Sequence, residues 1–332
     1  MALTTRAYEA VRREAGIRPP STLGRIVVAG KDRASYLQGL LTNDITSLSA
    51  GQGCYAAYLT PQGRMISDLH VYELGDVMLL TLPGAQKDTV LAKLDQFIFT
   101  EDVQLGDVSA AYATVGVVGP LASSFLGPVI GVDPGRLADL PEHGNVRVDL
   151  AGESVIVLRT SDAGVPGLDV LAPPAVAASI AQQLRAEGVV DVDPETTEVI
   201  RIEAGVPLFG RDMDEHTIPL EAGIEGRAIS FTKGCYVGQE VVIRILHRGH
   251  GRVARKLVGL VFADERVEAA GGVIQAEGRE VGSITSAAVS PATGRGIALG
   301  YVKRELAVAG TRLTTGSGLE ADVSELPLVT SA

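Results

Sequence analysis

The stretch FTKGCYVGQEVV, residues 231–242, combines a thiol, an ammonium group and glycine turns. Cys235 follows Lys233 by two residues and precedes a run whose apolar residues recur at helical spacing. A thiol ahead of a helix N-terminus and near a lysine is favoured as thiolate, the reactive form of cysteine. The stretch therefore predicts a reactive Cys235 assisted by Lys233; the alternative is a small residue in a tight turn. No histidine or asparagine is an evident partner, so a protease-like dyad is not supported.

Basic residues are concentrated within and just after this stretch. The formal net charge of the chain is −11, which argues against generic nucleic-acid binding because that function requires a basic surface. Between residues 233 and 256, however, six basic residues accompany the single acidic Glu240, a local net charge of +5. The run predicts an anion site, and the alternative is a solvated helix face. The basic residues are Lys233, Arg244, Arg248, Arg252, Arg255 and Lys256.

Composition limits the class of protein. A chain of 332 residues predicts two or three domains, and 46% hydrophobic with 21% charged residues indicates a globular rather than a disordered chain. The N-terminus lacks the apolar core of a signal peptide, and no run approaches the roughly 18 apolar residues of a membrane span. We therefore expect a cytoplasmic protein without membrane contact. Two cysteines cannot supply the roughly four ligands of a structural metal site, so no metal is predicted.

The elements that would position these groups mix strands and helices. Residues 25–30 are typical of a strand, and a helical pattern follows with Asp32 as a candidate cap. The turn residues at 61–63 predict a hairpin, and the run 85–98 predicts another helix. Strands and a helix recur between about 110 and 190, while short strands and glycine turns beyond residue 256 indicate a small all-β barrel or sandwich. This succession predicts an α+β architecture rather than a doubly wound sheet.

Several blocks of the sequence match a known group of proteins. KGCYVGQE, residues 233–240, resembles the signature K-G-C-Y-x-G-Q-E of the YgfZ family, folate-binding proteins related to the T-protein (aminomethyltransferase) of the glycine cleavage system. Further matches run in the same order along nearly the whole chain: LQGLLTNDI, LTPQGRMISDLHVY, RIEAGVPLFGRDMDEHTIPLEAG, and VGSITSAAVSP with IALGYV. The resemblance implies an α+β fold of three T-protein-like subdomains around a central folate channel, with a C-terminal all-β barrel.

The implied division of the chain has four parts. An N-terminal α+β domain covers residues 1–110 and is intertwined with part of 191–250. A second α+β domain covers 111–190. The folate block and KGCYVGQE occupy 191–250, and the β-barrel covers 251–332.

The resemblance also implies folate-binding residues. Glu203 falls on the T-protein glutamate that binds the pterin ring of tetrahydrofolate or a one-carbon derivative, since one carboxylate can accept two adjacent N–H donors. Asp68 matches the acid beside the reactive nitrogens, where a carboxylate could position or activate N5 or N10. Tyr236, Arg244 and Arg248 are further folate-binding candidates, and the two arginines would complement the carboxylates of the glutamate tail. By contrast, His216 is expected to be a structural turn residue and Cys54 a core or strand residue.

Our leading hypothesis from the sequence is a tetrahydrofolate-binding YgfZ-like protein that supports synthesis or repair of iron–sulphur enzymes. Cys235 would be its key thiol, and its partners would be iron–sulphur enzymes or their assembly factors. One alternative is a folate-dependent aminomethyl or one-carbon transferase of the T-protein class, in which Asp68 and Glu203 are indispensable and Cys235 is not. Another alternative is a non-catalytic interaction module with a relic folate channel. Whether the protein is an enzyme at all is left open at this point.

Overall fold

The computed structural model describes residues 5–20, 22–247 and 252–330. Its N-terminal elements are α1 Thr5–Arg13, β1 Gly16–Ile17, β2 Leu23–Ala29, α2 Arg33–Gln38, β3 Gly53–Leu59, β4 Met65–Glu73, β5 Met78–Pro83, α3 Lys87–Asp95 and β6 Gln104–Asp107. Strands β2 to β6 form an antiparallel sheet in the order β3-β4-β5-β2-β6. The predicted hairpin is confirmed, because β3 and β4 pair across the turn at residues 61–63, where Gly63 adopts a φ of 74°.

Helix α2 is shorter than the helix that the apolar spacing after residue 30 predicts. The helix ends at Gln38, and Gly39 follows as its C-cap. The prediction that Asp32 caps this helix is wrong: its side chain makes no capping bond, and its Oδ2 instead accepts a 2.9 Å hydrogen bond from the backbone N–H of Asp102. The carboxylate thus ties the start of the helix to the segment before β6.

A second sheet follows in the chain. Its elements are β7 Ala113–Val118, α4 Ala122–Ile130, α5 Pro134–Ala138, β8 Asn145–Leu150, β9 Glu153–Thr160, β10 Gly167–Ala172, α6 Pro174–Ala186 and β11 Val190–Asp191. The strand order is β11-β1-β7-β10-β9-β8, so β1 from the beginning of the chain joins this later sheet. The pairing of β1 with the second sheet therefore crosses the domain boundary that we expected near residue 110.

Helix α7, Pro194–Ala204, has clear start and stop signals. The Asp193 carboxylate accepts a 2.7 Å hydrogen bond from the backbone N–H of Thr196, and Pro194 occupies the first turn, where no N–H is needed. Gly205 ends the helix with a φ of 70°, a left-handed conformation that favours glycine. Two shorter helices follow, α8 Glu225–Ala228 and α9 Gln239–His247. The helix predicted behind Gly238 is therefore present.

The C-terminal strands close into a barrel. They are β12 Arg255–Phe262, β13 Val273–Ala276, β14 Arg279–Ser290, β15 Arg295–Lys303, β16 Arg312–Thr315 and β17 Glu320–Ser324, and the barrel order is β12-β15-β14-β13-β16-β17. Closure leaves no unpaired sheet edge, which suits a unit of short strands. The predicted α+β class with a C-terminal all-β barrel is confirmed. Over the described residues, no helix has the length and apolar character needed to span a bilayer.

Alternation along β4 directs its side chains to opposite faces of the sheet. Leu69 and Val71 are buried in the core that also contains Ile26 and Leu37. Successive residues of a strand point to opposite faces, so Asp68 and residue 70 share the other face. That face looks toward the second sheet and α7, and a cavity opens between them.

Candidate functional site

A cavity of about 320 Å³ lies where the two sheets meet α7. Its wall includes side chains from the N-terminal sheet, from the second sheet, from α7 and from α8. Ligand pockets are typically about 300–1,000 Å³ and combine apolar walls with a few convergent polar groups. Its size and mixed wall make this cavity the candidate site.

Asp68 presents a carboxyl to the cavity from the middle of β4. The Tyr55 hydroxyl donates a 2.8 Å hydrogen bond to Asp68 Oδ2, while Asp68 Oδ1 has no hydrogen-bond partner in the part of the chain that the structure describes. Burial raises the pKa of Asp68, and the hydrogen bond from Tyr55 opposes that rise. A carboxyl with a raised pKa and one unoccupied oxygen can exchange a proton with a bound ligand.

His70 stands two residues along β4 and also lines the cavity. Its Nε2 lies 3.3 Å from Asp162 Oδ1, which comes from the loop after β9. Burial alone would lower the pKa of His70, but the charge and hydrogen bonding of Asp162 together with the charge of Asp68 outweigh it, so the pKa is raised. The ring of His143 lies 4.8 Å from the ring of His70, and burial lowers the pKa of His143 to about 4. His143 is therefore neutral at pH 7, while His70 is poised to carry charge.

Helix α7 contributes Glu198 to the cavity wall. Arg201, three residues on, donates to both Glu198 oxygens from Nε and Nη2, at 3.0 and 2.5 Å. Arg201 Nη1 lies 2.7 Å from an oxygen of Asp212, whose side chain is fully buried. Burial raises the pKa of Glu198, but Arg201 and Arg211 together bring it below its usual value. Glu198 is therefore a carboxylate that is held in place and can accept hydrogen bonds.

Two more arginines line the cavity. The guanidinium group of Arg18 pairs with the Asp169 carboxylate inside the second sheet. Arg227 in α8 is exposed, and its guanidinium carbon lies 5.2 Å from the centre of the Tyr55 ring. The exposure of Arg227 places a cation at the edge of the cavity, where it remains available to an anionic ligand.

Glu203 does not line the cavity. Its side chain is fully buried and accepts hydrogen bonds from Tyr8 at 2.8 and 2.9 Å and from Ser290 at 2.5 Å. The Arg12 guanidinium also pairs with this carboxylate. Three elements, α1, α7 and the end of β14, thus converge on one charge. The Glu203 oxygens thus have partners on α1 and β14, and the assignment of Glu203 to the pterin ring stays a prediction.

Lys233 and Cys235 also lie outside the cavity wall. Lys233 Nζ donates to the backbone carbonyls of Gln38 at 2.6 Å, Leu41 at 2.6 Å and Asn43 at 2.8 Å. Burial lowers the pKa of Lys233 to about 8. The ammonium therefore fastens the loop behind α2. Cys235 is exposed in the loop before α9, at the position that the sequence predicted.

The remaining predicted ligands are dispersed. Tyr236 is buried in a cluster with Leu59 and Met65 and does not line the cavity. Arg244 is exposed on α9 and is likewise absent from the cavity wall. Arg248 lies outside the described residues. Of the predicted chemical or binding residues that the structure describes, Asp68 lines the cavity, whereas Glu203, Lys233, Cys235, Tyr236 and Arg244 do not.

The residues expected to be structural occupy structural positions. Cys54 lies on β3 against the N-terminal core, and burial raises the pKa of its thiol to about 12. His216 is exposed in the turn before Thr217, and its backbone N–H donates to Asp214. Within residues 5–20, 22–247 and 252–330, no group of three or more His, Cys, Asp or Glu side chains could hold a metal ion.

Sequence reasoning missed most of the cavity wall. His70 and Asp162 had no recognisable motif, because 92 positions separate them and only folding brings them together. Glu198 and Arg201 carried a usable signal, since an acid three residues before a base on a helix faces the same way. Arg227 belonged to no block that we singled out. The Asp–x–His spacing at residues 68–70 could have indicated a shared strand face.

Comparisons with known proteins agree over the whole chain. Residues 1–233 match the GCVT N-terminal domain model, and residues 255–329 match the glycine cleavage T-protein C-terminal barrel domain model. An aminomethyltransferase of Nostoc sp. is 32% identical over 93% of this chain and 82% of its own length, and one of Cutibacterium acnes is 32% identical over 96% and 88%. The crystal structure of aminomethyltransferase T from Bartonella henselae superposes with a TM-score of 0.88 at 23% identity, covering 98% of this chain and 89% of that chain.

These relatives correct the leading hypothesis from the sequence. The relatives from Nostoc sp. and Cutibacterium acnes are named aminomethyltransferase, so assignment to the YgfZ branch is not supported, and the role in supporting iron–sulphur enzymes through Cys235 is contradicted. The predicted T-protein-like architecture is confirmed by the superposition. The two domain models and the relatives above 30% identity show that the chain belongs to the glycine cleavage T-protein family, whose members use tetrahydrofolate.

Proposed function

We propose that the protein is a folate-dependent aminomethyltransferase that binds tetrahydrofolate, or a one-carbon derivative, in the cavity between the two sheets and α7. The observation that carries the proposal is Asp68, whose carboxyl faces a cavity of about 320 Å³ with one oxygen unpartnered. An unpartnered buried oxygen is costly unless a ligand satisfies it. The family of the chain supplies the class of ligand.

Glu198 is the group that we propose for the pterin ring, in place of Glu203. A folate ring presents adjacent N–H donors, and a carboxylate can accept from both. Arg201 fixes the orientation of Glu198 and favours its charged form. Glu198 Oε1 pairs with both Arg201 and Arg211, whereas Oε2, with one donor from Arg201, retains further acceptor capacity. Because Glu198 is only 24% exposed, the ring would bind where competition from water is small.

Asp68 is the group that we propose for the chemistry. When a folate nitrogen forms its bond to the one-carbon unit, that nitrogen must lose a proton, and Asp68 can receive it. Tyr55 holds Oδ2 in place, which leaves Oδ1 for the ligand. The raised pKa of Asp68 suits a proton acceptor that works near neutral pH.

Arg227 is the group that we propose for the glutamate tail. It is exposed, lines the cavity and contacts the ring of Tyr55, so its charge lies at the cavity wall beside the tyrosine that holds Asp68. A guanidinium group pairs with a carboxylate through two parallel hydrogen bonds. The sequence prediction of Arg244 and Arg248 as ligands of the glutamate tail is a separate assignment and stays a prediction.

The proposal is tested with tetrahydrofolate as the probe. Binding is measured by calorimetry, and transfer is measured with an aminomethyl-loaded carrier protein of a glycine cleavage system. We expect Asp68→Asn to reduce transfer by about 10²- to 10⁴-fold while tetrahydrofolate still binds. Asp139→Asn, which changes an exposed aspartate outside the cavity, is the matched control and should leave both unchanged.

Each outcome separates the functional alternatives. Failure of the wild type to bind tetrahydrofolate would overturn the proposal. Binding without transfer by the wild type would favour the non-catalytic module. Transfer that survives Asp68→Asn at the wild-type rate would show that the chemistry does not use this carboxyl.

A further inference from the structure

We propose that His70 is a positioning residue: paired with Asp162 across the junction of the two sheets, its positive charge sets the charge state of the Asp68 carboxyl. This inference rests on the proposed function, because it concerns the carboxyl to which that function assigns the chemistry. His70 would act through Asp68 rather than on the ligand itself.

The strand geometry brings the two side chains together. Asp68 and His70 are alternate residues of β4, so they point to the same face of the sheet, and both line the cavity. Tyr55 contacts both of them, since its hydroxyl bonds Asp68 and its ring centre lies 5.0 Å from that of His70. The ring centre of Tyr72 lies 6.1 Å from that of His70, and the two rings are stacked. The imidazole is thus fixed beside the carboxyl by aromatic rings.

The second sheet supplies the counter-charge. Asp162 Oδ1 approaches His70 Nε2 to 3.3 Å from the loop between β9 and β10. Burial would raise the pKa of Asp162, but the charge and hydrogen bonding of His70, with smaller contributions from His143 and Arg18, outweigh burial and lower it. Asp162 is therefore an anion at neutral pH, and a histidine beside such an anion is favoured as imidazolium.

The other groups near His70 do not replace this pair. His143, from the loop before β8, is neutral at pH 7 because burial lowers its pKa to about 4. Arg227 disfavours the charged form of His70, whereas Asp68 and Asp162 favour it. The groups that face His70 are Tyr55, Asp68 and Tyr72 from the N-terminal sheet, His143 and Asp162 from the second sheet, with Glu142 behind His143, and Arg227 from α8.

The signs of these effects on Asp68 lead to a specific expectation. The positive charge of His70 lowers the pKa of Asp68, and the negative charge of Asp162 raises it. Replacing His70 alone removes the cation and leaves the anion, so Asp68 should retain its proton to higher pH. Replacing both His70 and Asp162 removes both charges, so their opposite effects on the pKa of Asp68 should largely cancel. A residue that acted only through packing would show no such recovery.

The test follows the Asp68 carboxyl directly by carbon-13 NMR titration of the protein without folate, with the signal assigned from Asp68→Asn. We expect His70→Asn to raise the Asp68 midpoint by about one pH unit or more. The double variant His70→Asn with Asp162→Asn should return to within about 0.3 unit of the wild type. His216→Asn, the same change at an exposed histidine outside the cavity, is the control and should shift nothing.

Two outcomes overturn the proposal. One is an Asp68 midpoint that does not change in His70→Asn. The other is an Asp68 midpoint that is shifted as far in the double variant as in His70→Asn alone. Imidazole nitrogen shifts of the wild type give an independent check that needs no variant, since the His70 midpoint should lie above the ordinary value of about 6.5. The titrations use no folate, so failure of the proposed function would appear as lost binding or transfer with the Asp68 shifts intact. If transfer occurs, its pH profile should move with the Asp68 midpoint.

Discussion

The hydroxyl of Tyr55 donates a 2.8 Å hydrogen bond to Oδ2 of Asp68, across neighbouring strands of the same sheet. This bond fixes one carboxyl oxygen, while the other is buried and has no hydrogen-bond partner among the described residues. The orientation of the proposed proton acceptor therefore depends on a tyrosine that none of the sequence blocks singled out.

Replacing Tyr55 with phenylalanine keeps the ring and removes the donor. A hydrogen bond to a charged group contributes about 1.5–3 kcal/mol, so we expect transfer at pH 7 to fall by about 10- to 100-fold. The pKa of Asp68 should rise further, because the bond from Tyr55 lowers it. Steady-state rates across pH measure both effects. Tyr112→Phe, outside the cavity, is the matched control, and an equal loss there would contradict the specific role of Tyr55.

Removing Arg201 should destabilise the protein strongly. Arg201→Met leaves the fully buried carboxylate of Asp212 without its cation, and breaking a buried pair costs about 3–5 kcal/mol. Arg211→Met removes a half-exposed partner of Glu198 and should cost less than about 1 kcal/mol. Urea unfolding measures both free energies. Equal losses in the two variants would show that the burial of Asp212 does not decide the effect.

Glu203→Gln should reduce stability without reducing folate affinity. The carboxylate joins Tyr8, Arg12 and Ser290, so its loss should lower the free energy of unfolding by about 3 kcal/mol. Glu9→Gln removes an exposed pair on α1 and should cost less than about 0.5 kcal/mol. Calorimetry on the folded variants measures tetrahydrofolate affinity. Lost affinity with unchanged stability would restore Glu203 as the pterin ligand.

The loop before α9 offers a matched comparison between Lys233 and Cys235. Lys233→Met keeps the length of the side chain but leaves three carbonyls without their donor, so we expect a loss of about 2–4 kcal/mol in urea unfolding. Cys235→Ser changes an exposed side chain and should alter stability by less than about 0.5 kcal/mol, with transfer within about twofold of the wild type. A large loss of transfer in Cys235→Ser alone would reinstate the cysteine as a chemical group.

Stability should fall as the pH is lowered from about 6.5 to about 4. Burial lowers the pKa of His143 to about 4, below the unfolded value of about 6.5, so the unfolded state binds the proton first in this window. The free energy of unfolding that His143 contributes is fully present above pH 6.5 and is lost as the pH falls toward 4. The total loss is about 2–3 kcal/mol. His143→Asn suits the φ of 59° and should flatten the profile. Urea unfolding of both proteins at several pH values tests this, and parallel profiles would rule out His143 as the source.

Local sequence was sufficient for local structure. The turn residues at 61–63 predict the hairpin that carries Asp68, because turn chemistry acts within a few residues. The run from Gly238 likewise predicts α9, and the glycine-punctuated strands beyond residue 256 indicate an all-β barrel or sandwich, of which the structure has the barrel. Asp68 and the T-protein architecture also followed from sequence, since the matching blocks run along nearly the whole chain.

Tertiary structure alone decided which charges reach the cavity. Glu198 and Glu203 lie five residues apart on α7, which separates them by about 140° around the helix axis. Helix α1 and the barrel pack on the face of α7 that carries Glu203 and bury it. Glu198 lies on a different face of the helix, which forms part of the cavity wall. Similarly, His70 meets Asp162 only because the two sheets meet there. The sequence determined which residues are available for chemistry. The packing of distant elements determined which of them line the same cavity, because burial and charge pairing depend on contacts between residues far apart in the chain.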